Sequence, residues 1–306
     1  VLKNGGIRIV ESRLTLSVSV VLLDYLLLRF PYHDEAEWRH RIDSGELQCN
    51  GRTASAGTML QNGDLLRYTP QKLQEPPVDF HYRIVHETEQ FYVIDKSGNL
   101  PCHPAGPYFE HTLWYDLQKR GSEVHFVNRL DRETSGLLLA AKTPETAAFL
   151  AKNILQKKYL ALAAGEWDFE QEVKGFLFRD PASGIRKKRI FSPEKPEGVK
   201  SETAVTFFRT RETRDGLTLV EAELRGTGRT HQIRATLLYL GHPLAGDKLY
   251  GPDETLYRRQ KNGVLSEEDL ARLRFPRQAL HSAEIAFRAP ENGEILHFFS
   301  VFPSFR

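Results

Sequence analysis

Residues 127–142 read VNRLDRETSGLLLAAK, one carboxylate between two arginines running without a break into an apolar stretch. Residues 136–141 predict a buried strand, and Asp131 stands where that strand should begin. An unpaired carboxylate in apolar surroundings is strongly disfavoured, so Asp131 must be paired, open to a cleft, or chemically employed. Arg129 and Arg132 mark where an anion could lie. Burying such a strand requires a sizeable core. With 306 residues, 40% of them hydrophobic, the chain can supply one and has room for a main domain plus a smaller one.

A formal net charge of +2 does not announce a nucleic-acid binder, although local basic clusters can still build a phosphate-binding surface. The two cysteines, Cys49 and Cys102, match no metal-ligand spacing, which argues against zinc and against a disulfide framework. A reducing, cytoplasmic setting follows. The apolar run at 18–28 is interrupted by Asp24 and is too short to span a bilayer, so no membrane association is expected. No signal-peptide pattern precedes it, and a chain opening on Val1 leads us to expect its natural start upstream.

Residues 13–70 read as one small module. An apolar helical stretch at 20–28 is stopped by Phe30-Pro31, and a second, at 35–42, ends at Ser44-Gly45. Asn50-Gly51 signals a hairpin within 47–53, and Asn62-Gly63-Asp64 leads into a strand at 65–68. Pro70, Pro76 and Pro77 lie in a stretch with little apolar content, as in a linker. The expected organisation is therefore a domain at 1–72, a linker at 73–79 and a domain at 80–306.

Beyond residue 80, strands are predicted at 91–95, 136–141, 158–164, 204–210 and 217–224. A helix capped by Thr143, with Pro144 in its first turn, presents Ala147, Leu150, Ala151 and Ile154 on one face. Residues 252–275 are polar and charged, with a short helix near 266–273, and read as a surface insertion.

Three distant segments could serve one active site. The first holds Asp131. In the second, Lys157-Lys158-Tyr159-Leu160-Ala161, strand alternation puts Tyr159 and Ala161 on one face. The third is Arg225-Gly-Thr-Gly-Arg229-Thr-His231-Gln-Ile-Arg234, where a strand breaks at two glycines and a helix starts near Thr230, a setting suited to anionic ligands. Taken singly, each has an ordinary explanation. Asp131 could be a surface ion pair worth roughly 0–1 kcal/mol, Tyr159 a sheet aromatic, His231 a helix-end group, His103 a structural residue, and residues 185–190 a solvated loop.

Together they resemble a known pattern. Asn128-Arg129-Leu130-Asp131-Arg132-Glu133-Thr134-Ser135-Gly136-Leu137-Leu138 is similar to the signature of the RluA-type pseudouridine synthases. It is followed in order by Lys158-Tyr159-Leu160-Ala161, Gly228-Arg229-Thr230-His231-Gln232-Ile233-Arg234, Gly241-His242-Pro243, Gly246-Asp247, Tyr250-Gly251 and Arg277-Gln278-Ala279-Leu280-His281. The resemblance covers roughly residues 80–306. One position departs: the family usually carries histidine where this chain has Asn128. The small module resembles the alpha-L RNA-binding domain through Ile42-Asp43-Ser44-Gly45-Glu46-Leu47, Asn50-Gly51-Arg52 and Asn62-Gly63-Asp64, with basic and acidic residues about equal in number.

The resemblance implies an α+β catalytic domain on a mixed, largely antiparallel sheet, preceded by a small α/β RNA-binding domain. It also implies a monomeric isomerase acting on uridine in structured RNA, ribosomal RNA before transfer RNA, with neither cofactor nor metal. Asp131 would be the catalytic aspartate, Arg234 its ionic partner and Tyr159 the aromatic that stacks on the target base. Ile233 would line the uracil pocket, and Arg129 would fill the gap left by a flipped nucleotide. Arg132, Arg229 and the cluster Arg186, Lys187, Lys188 and Arg189 would contact phosphates. Two other readings stand beside it: a non-catalytic RNA-binding or ribosome-assembly factor on the same scaffold, and an aspartate-dependent hydrolase, which would need a second carboxylate motif or a metal set.

Overall fold

The computed structural model describes residues 2–4, 7–30, 33–70, 75–121, 123–226, 228–261, 263 and 265–302. The chain forms two compact units, Val1–Pro77 with Pro104–His111, and Val78–His103 with Thr112–Arg306. Segment 104–111 thus groups with the first unit rather than with the residues around it. Within that unit the carboxylate of Glu75, in the expected linker, accepts the backbone N–H groups of Phe109, Glu110 and His111 at 2.8–2.9 Å.

The first unit runs β1 (Leu2–Asn4), β2 (Ile7–Arg13), β3 (Val20–Val21), α1 (Leu22–Arg29), α2 (Glu35–Asp43), β4 (Leu47–Cys49), β5 (Arg52–Thr53), β6 (Met59–Leu60) and β7 (Leu65–Tyr68). Leu22, Leu23 and Leu26 of α1 pack with Trp38 and Ile42 of α2 and with Leu47, Leu60 and Leu66. Asp34 caps α2 by accepting from the Glu37 N–H at 2.9 Å. Asn50 and Gly51 sit at φ 51° and 79°, the left-handed pair that a two-residue hairpin turn demands. Helix α1 ends with the Phe30 N–H on the Leu26 carbonyl; Pro31, the other half of the expected stop, lies outside the described residues. β2 extends the module upstream of residue 13. It exists by pairing with β7, Val10 opposite Tyr68 and Arg13 opposite Leu65, a long-range contact that no local pattern announces.

The second unit runs β8 (Arg83–Glu87), β9 (Phe91–Lys96), α3 (Leu113–Gln118), β10 (His125–Phe126), β11 (Ser135–Ala141), α4 (Pro144–Lys152), β12 (Ile154–Ala164), β13 (Glu170–Arg179), β14 (Arg189–Ser192), β15 (Ser201–Arg214), β16 (Leu217–Leu224), α5 (Gln232–Tyr239), α6 (Thr255–Lys261), α7 (Glu267–Leu273), β17 (Leu280–Arg288) and β18 (Ile295–Phe299). Eleven strands form one sheet in the order β14-β13-β15-β16-β12-β17-β11-β9-β8, with β10 beside β11 and β18 beside β17. Only β11 and β17 pair in parallel among the described strands, so the fold is α+β on a mixed, largely antiparallel sheet.

Every residue of β11 is buried, because its two faces enter two cores. Leu138 and Ala140 pack with Tyr159, Ala161, Ile233 and Leu237, while Leu137, Leu139 and Ala141 pack with Phe91, Leu150, Ile285 and Phe287. The strand that follows Asp131 is thereby fixed on both sides, and so is the loop that enters it. Thr143 caps α4 by accepting from the Thr146 N–H, as its sequence suggests. The buried positions of α4 are nevertheless Thr146 and Leu150, Ala151 is exposed, and Ile154 already begins β12, because the strand recruits it for pairing with Phe287. Residues 252–275 do not form a loose surface insertion. Leu256 and Leu273 are buried, Ser266 and Asp269 close a capping box on α7, and Gln260 donates to Glu133 at 2.9 Å.

At the head of β11, Gly136 adopts φ 101°, and a Cβ there would stand 2.3 Å from the carbonyl oxygen of Ser282 on β17. Gly136→Ala combines backbone strain with a backbone clash and is expected to cost roughly 2–4 kcal/mol. Urea unfolding checks it; a midpoint unchanged from the parent chain would contradict this account of the crossing.

Candidate active site

The loop before β11 is tied down from beneath. Lys96, fully buried, donates to the carbonyls of Ser97 at 2.7 Å and Arg132 at 3.1 Å, and burial pushes its pKa down to about 8. Glu133 is held by Lys248, by the backbone N–H of Gln278 and by Gln260, while Arg277 donates to the Glu133 carbonyl at 3.0 Å. Leu130 points into the core. Asn128 accepts the Leu139 N–H at 2.8 Å, clasping the loop's start to β11. The backbone at Asp131 is therefore held on several sides by hydrogen bonds and core packing.

The Asp131 carboxylate, 30% exposed, receives the Arg234 guanidinium: Nη1 donates to Oδ2 at 2.6 Å. Arg234 is at the third position of α5, whose packing of Ile233 and Leu237 into the core sets its direction. The same guanidinium donates from Nε and Nη2 to both oxygens of Asp247, at 2.7 and 2.9 Å. Asp247 is fully buried and also accepts the N–H groups of Leu249 and Tyr250. Arg234 further lies over the Tyr250 ring, 4.9 Å from its centroid.

Burial alone would raise the pKa of Asp131. The cationic character around it, a protonated His231 and the Arg234 guanidinium foremost, more than offsets this and holds the carboxyl well below the usual range. His231 cannot be the working cation near neutral pH, since burial and then Arg234 push its own pKa down to about 3. The ionised state of Asp131 therefore rests on Arg234. Burial, with the Asp131 charge nearby, pushes the Tyr159 phenol up to about 12, so this ring is a neutral hydroxyl-bearing platform.

Asp131 opens into a cavity of about 760 Å³, a volume suited to a nucleotide-sized ligand. Tyr159, Leu224, Ile233 and Leu280 give it an apolar side; Arg129, Lys157, Arg229 and His103 add polar and cationic groups. Arg129 is exposed, with Nη1 3.5 Å from His103 Nε2. Arg229 is exposed and 3.4 Å from Glu202. Of the residues singled out in the sequence, Asp131, Tyr159, Arg234, Ile233, Arg129 and Arg229 thus line one cavity.

The others fall elsewhere. Arg132 and Lys187 line a smaller chamber of about 100 Å³ that shares Asp131, His231 and Arg234 with the first, and Arg132 donates to Glu133. Lys188 is engaged by Glu254 at 2.7 Å and Asp180 at 3.5 Å, and Arg189 by the carbonyls of its own loop, so this cluster is not a row of projecting cations. Ile185 is buried, and the 185–190 loop is accordingly not a fully solvated one. Sequence reasoning assigned no role to Asp247, Gln278 or Lys157, and read His231 only as a helix-end group. Asp247 and Gln278 lay in quoted motifs, but what gives them meaning is a partner remote in sequence.

A family model described as RNA pseudouridylate synthase matches residues 90–239. The chain is 34% identical over 282 residues to the uncharacterized RNA pseudouridine synthase YjbO of Bacillus subtilis, covering 86% of this chain and 89% of that protein. It is 30% identical over 312 residues to ribosomal large subunit pseudouridine synthase D of Neisseria meningitidis, covering 96% of this chain and 80% of that one. It is 32% identical over 255 residues to the mitochondrial tRNA pseudouridine(32) synthase of Saccharomyces cerevisiae, covering 81% of this chain and only 54% of that longer protein. Among solved structures, human RNA pseudouridylate synthase domain containing 1 shares the fold, with a TM-score of 0.56 at 23% identity over 74% of this chain and 86% of that one. The chain belongs to the RNA pseudouridine synthases, of the RluA type. The reaction of that family is the isomerisation of uridine to pseudouridine in RNA.

His231 and His281 are both buried and both resist protonation in the fold, with pKa values pushed down to about 3 and about 4 by burial, helped by Arg234 and Arg277 respectively. In the unfolded chain each takes up a proton below about pH 6.5. Folding stability is therefore expected to be intact above that pH and to fall as pH drops from about 6.5 towards 4, by on the order of 3 kcal/mol per imidazole. Urea melts across that range check it, and a flat profile would contradict both burials.

Proposed function

We propose that this chain converts uridine to pseudouridine in structured RNA, with Asp131 as the catalytic carboxylate. One observation carries the reading: a partly exposed aspartate, held ionised by an arginine that a second, buried aspartate immobilises, sits in a nucleotide-sized cavity beside a tyrosine ring and an isoleucine. The reaction replaces a C–N glycosidic bond by a C–C bond within one nucleotide. It needs no net oxidation and no group donor, so an oriented carboxylate and a shaped pocket suffice.

In this reading the target base leaves its stack, because a stacked uracil hides its glycosidic bond. It lies against Tyr159 and Ile233, and exposed Arg129 takes the vacated place. The phenol of Tyr159 keeps its proton at neutral pH, so Tyr159 acts as stacking surface and hydrogen-bond donor rather than as base. Arg234 fixes the carboxylate and keeps it ionised, with Asp247 as its anchor. Arg229 and Lys187, exposed cations lining the larger and the smaller chamber respectively, are the phosphate contacts favoured within the wider set that includes Arg132 and Arg186.

Ribosomal RNA is the favoured substrate on the strength of the bacterial large-subunit relatives, and transfer RNA is the second reading on the strength of the yeast one. We read the protein as a cytoplasmic monomer. The N-terminal unit is read as an RNA-binding module of modest affinity, since Arg41, Arg39 and Arg67 are already paired with Glu37 and Glu46, Glu35, and Glu11. The alternative of a non-catalytic scaffold drew on Asn128, and its bond to Leu139 supports a loop that needs no histidine there.

Asp131→Asn is expected to abolish pseudouridine formation in unmodified ribosomal and transfer RNA transcripts while RNA binding survives. Turnover by the purified variant would sink the assignment of Asp131. Replacing Arg186 and Lys187 together by glutamate is expected to weaken RNA binding and flatten its salt dependence by about two counterions. A binding slope equal to that of the parent chain would remove these two residues from the interface.

A further inference from the structure

The unexplained group beside Asp131 is His231. Its residue is held at φ 60°, left-handed for a non-glycine, directly before α5, and its ring is buried. Nδ1 lies 2.9 Å from the Tyr250 hydroxyl, and Nε2 lies 3.7 Å from Asp131 Oδ1. The Tyr250 oxygen also accepts the backbone N–H of Arg189 at 2.8 Å. A backbone N–H can only donate, and among the described residues His231 Nδ1 is the one partner of this hydroxyl able to accept, so the Tyr250 proton points to Nδ1. The ring proton consequently sits on Nε2, directed at Asp131. The polarity of these hydrogen bonds thus assigns the tautomer.

The two oxygens of Asp131 are unequal. Oδ2 takes the Arg234 Nη1–H at 2.6 Å and has Gln278 Nε2 at 3.5 Å. Oδ1 has no hydrogen bond among the described residues, only the His231 Nε2–H at a separation longer than a hydrogen bond. An N–H dipole at that distance biases the carboxylate's rotation without occupying the lone pairs of Oδ1. The chain of contacts also begins in the basic loop, at the Arg189 N–H, next to exposed Arg186 and Lys187.

We propose that His231 is a positioning residue: Tyr250 locks it as the neutral Nε2–H tautomer, its N–H orients Asp131 so that Oδ1 is the oxygen that meets the nucleotide, and the Arg189–Tyr250–His231 chain couples the basic loop to that orientation. The inference rests on the reading of Asp131 as the catalytic carboxylate. Burial first, then Arg234 and Lys187, leave the ring neutral near pH 7 against the opposing charges of Asp131 and Asp247, with the Tyr250 hydroxyl on Nδ1.

The test uses the full chain labelled with 15N-histidine, the His231 signals being assigned by comparison with His231→Asn. At pH 7 the ring nitrogens of His231 are expected to report protonated Nε2 and unprotonated Nδ1, and Tyr250→Phe is expected to populate the other tautomer. A Nδ1–H ring or an imidazolium in the parent chain, or a tautomer indifferent to Tyr250→Phe, overturns the proposal. On unmodified transcripts, Tyr250→Phe and His231→Asn are expected to lower kcat about 10- to 100-fold at little-changed KM, a loss confined to the chemical step. His231→Gln, which returns an N–H near the Nε2 position, is expected to recover part of that loss. A fall in KM-dependent binding with kcat intact, or no recovery by glutamine, overturns it too. Should the tautomer prove correct while Asp131→Asn still turns over, it is the catalytic reading that fails and not the hydrogen-bond chain.

Discussion

The guanidinium of Arg234, shared between Asp131 and Asp247, is the interaction on which the rest of this site depends. Two carboxylates and one arginine leave the cluster one negative charge in excess, and the fold decides where that charge sits. Asp247 is sealed and its oxygens take two backbone N–H groups besides the arginine, whereas Asp131 keeps an open side. The anion facing the cavity is therefore Asp131, the carboxylate proposed to react. Leaving one member of a buried ion pair without its partner typically costs about 3–5 kcal/mol, so each member of this triad holds the others in place. The helix that carries Arg234 is buried along most of its length, which makes the guanidinium's reach to Asp131 a property of the core and not of a flexible side chain.

The strand behind Asp131 shows how far local pattern carries. An unbroken run of apolar residues announced β11, and turn chemistry announced the Asn50-Gly51 hairpin and the cap at Thr143, because each of those is decided within a few residues. β2 was not legible, since only its distant partner β7 makes it a strand. Nor was the role of residues 252–275, whose polar composition hides the two buried leucines and the bond from Gln260 to Glu133. The site itself divides along the same line. Asp131, Tyr159 and Arg234 could be singled out from motif resemblance, but the reason Arg234 is rigid lies thirteen residues further on in Asp247. The 185–190 cluster divides for a related reason: Lys188 is engaged by Glu254 and Asp180 while Arg186 and Lys187 stay exposed, a difference that charge counts do not reveal.

That last point bears on how a chain of net charge +2 can hold a polyanion. Long-range attraction set by total charge would be weak here, and an exposed cation paired with a carboxylate adds little to it. What matters is the fraction of cations whose field is not cancelled locally. In the N-terminal unit Arg39, Arg41 and Arg67 each face a glutamate within 3.0 Å. At the cavity, Arg129 has a histidine as its neighbour and Arg229 a glutamate no closer than 3.4 Å. Lys157 stands beside Arg229, and burial and that neighbour lower its pKa. A phosphate entering there would relieve mutual repulsion between cations rather than displace existing carboxylate partners. In the proposed reading, the cations lining the cavity that opens at Asp131 draw RNA by their location where net charge could not.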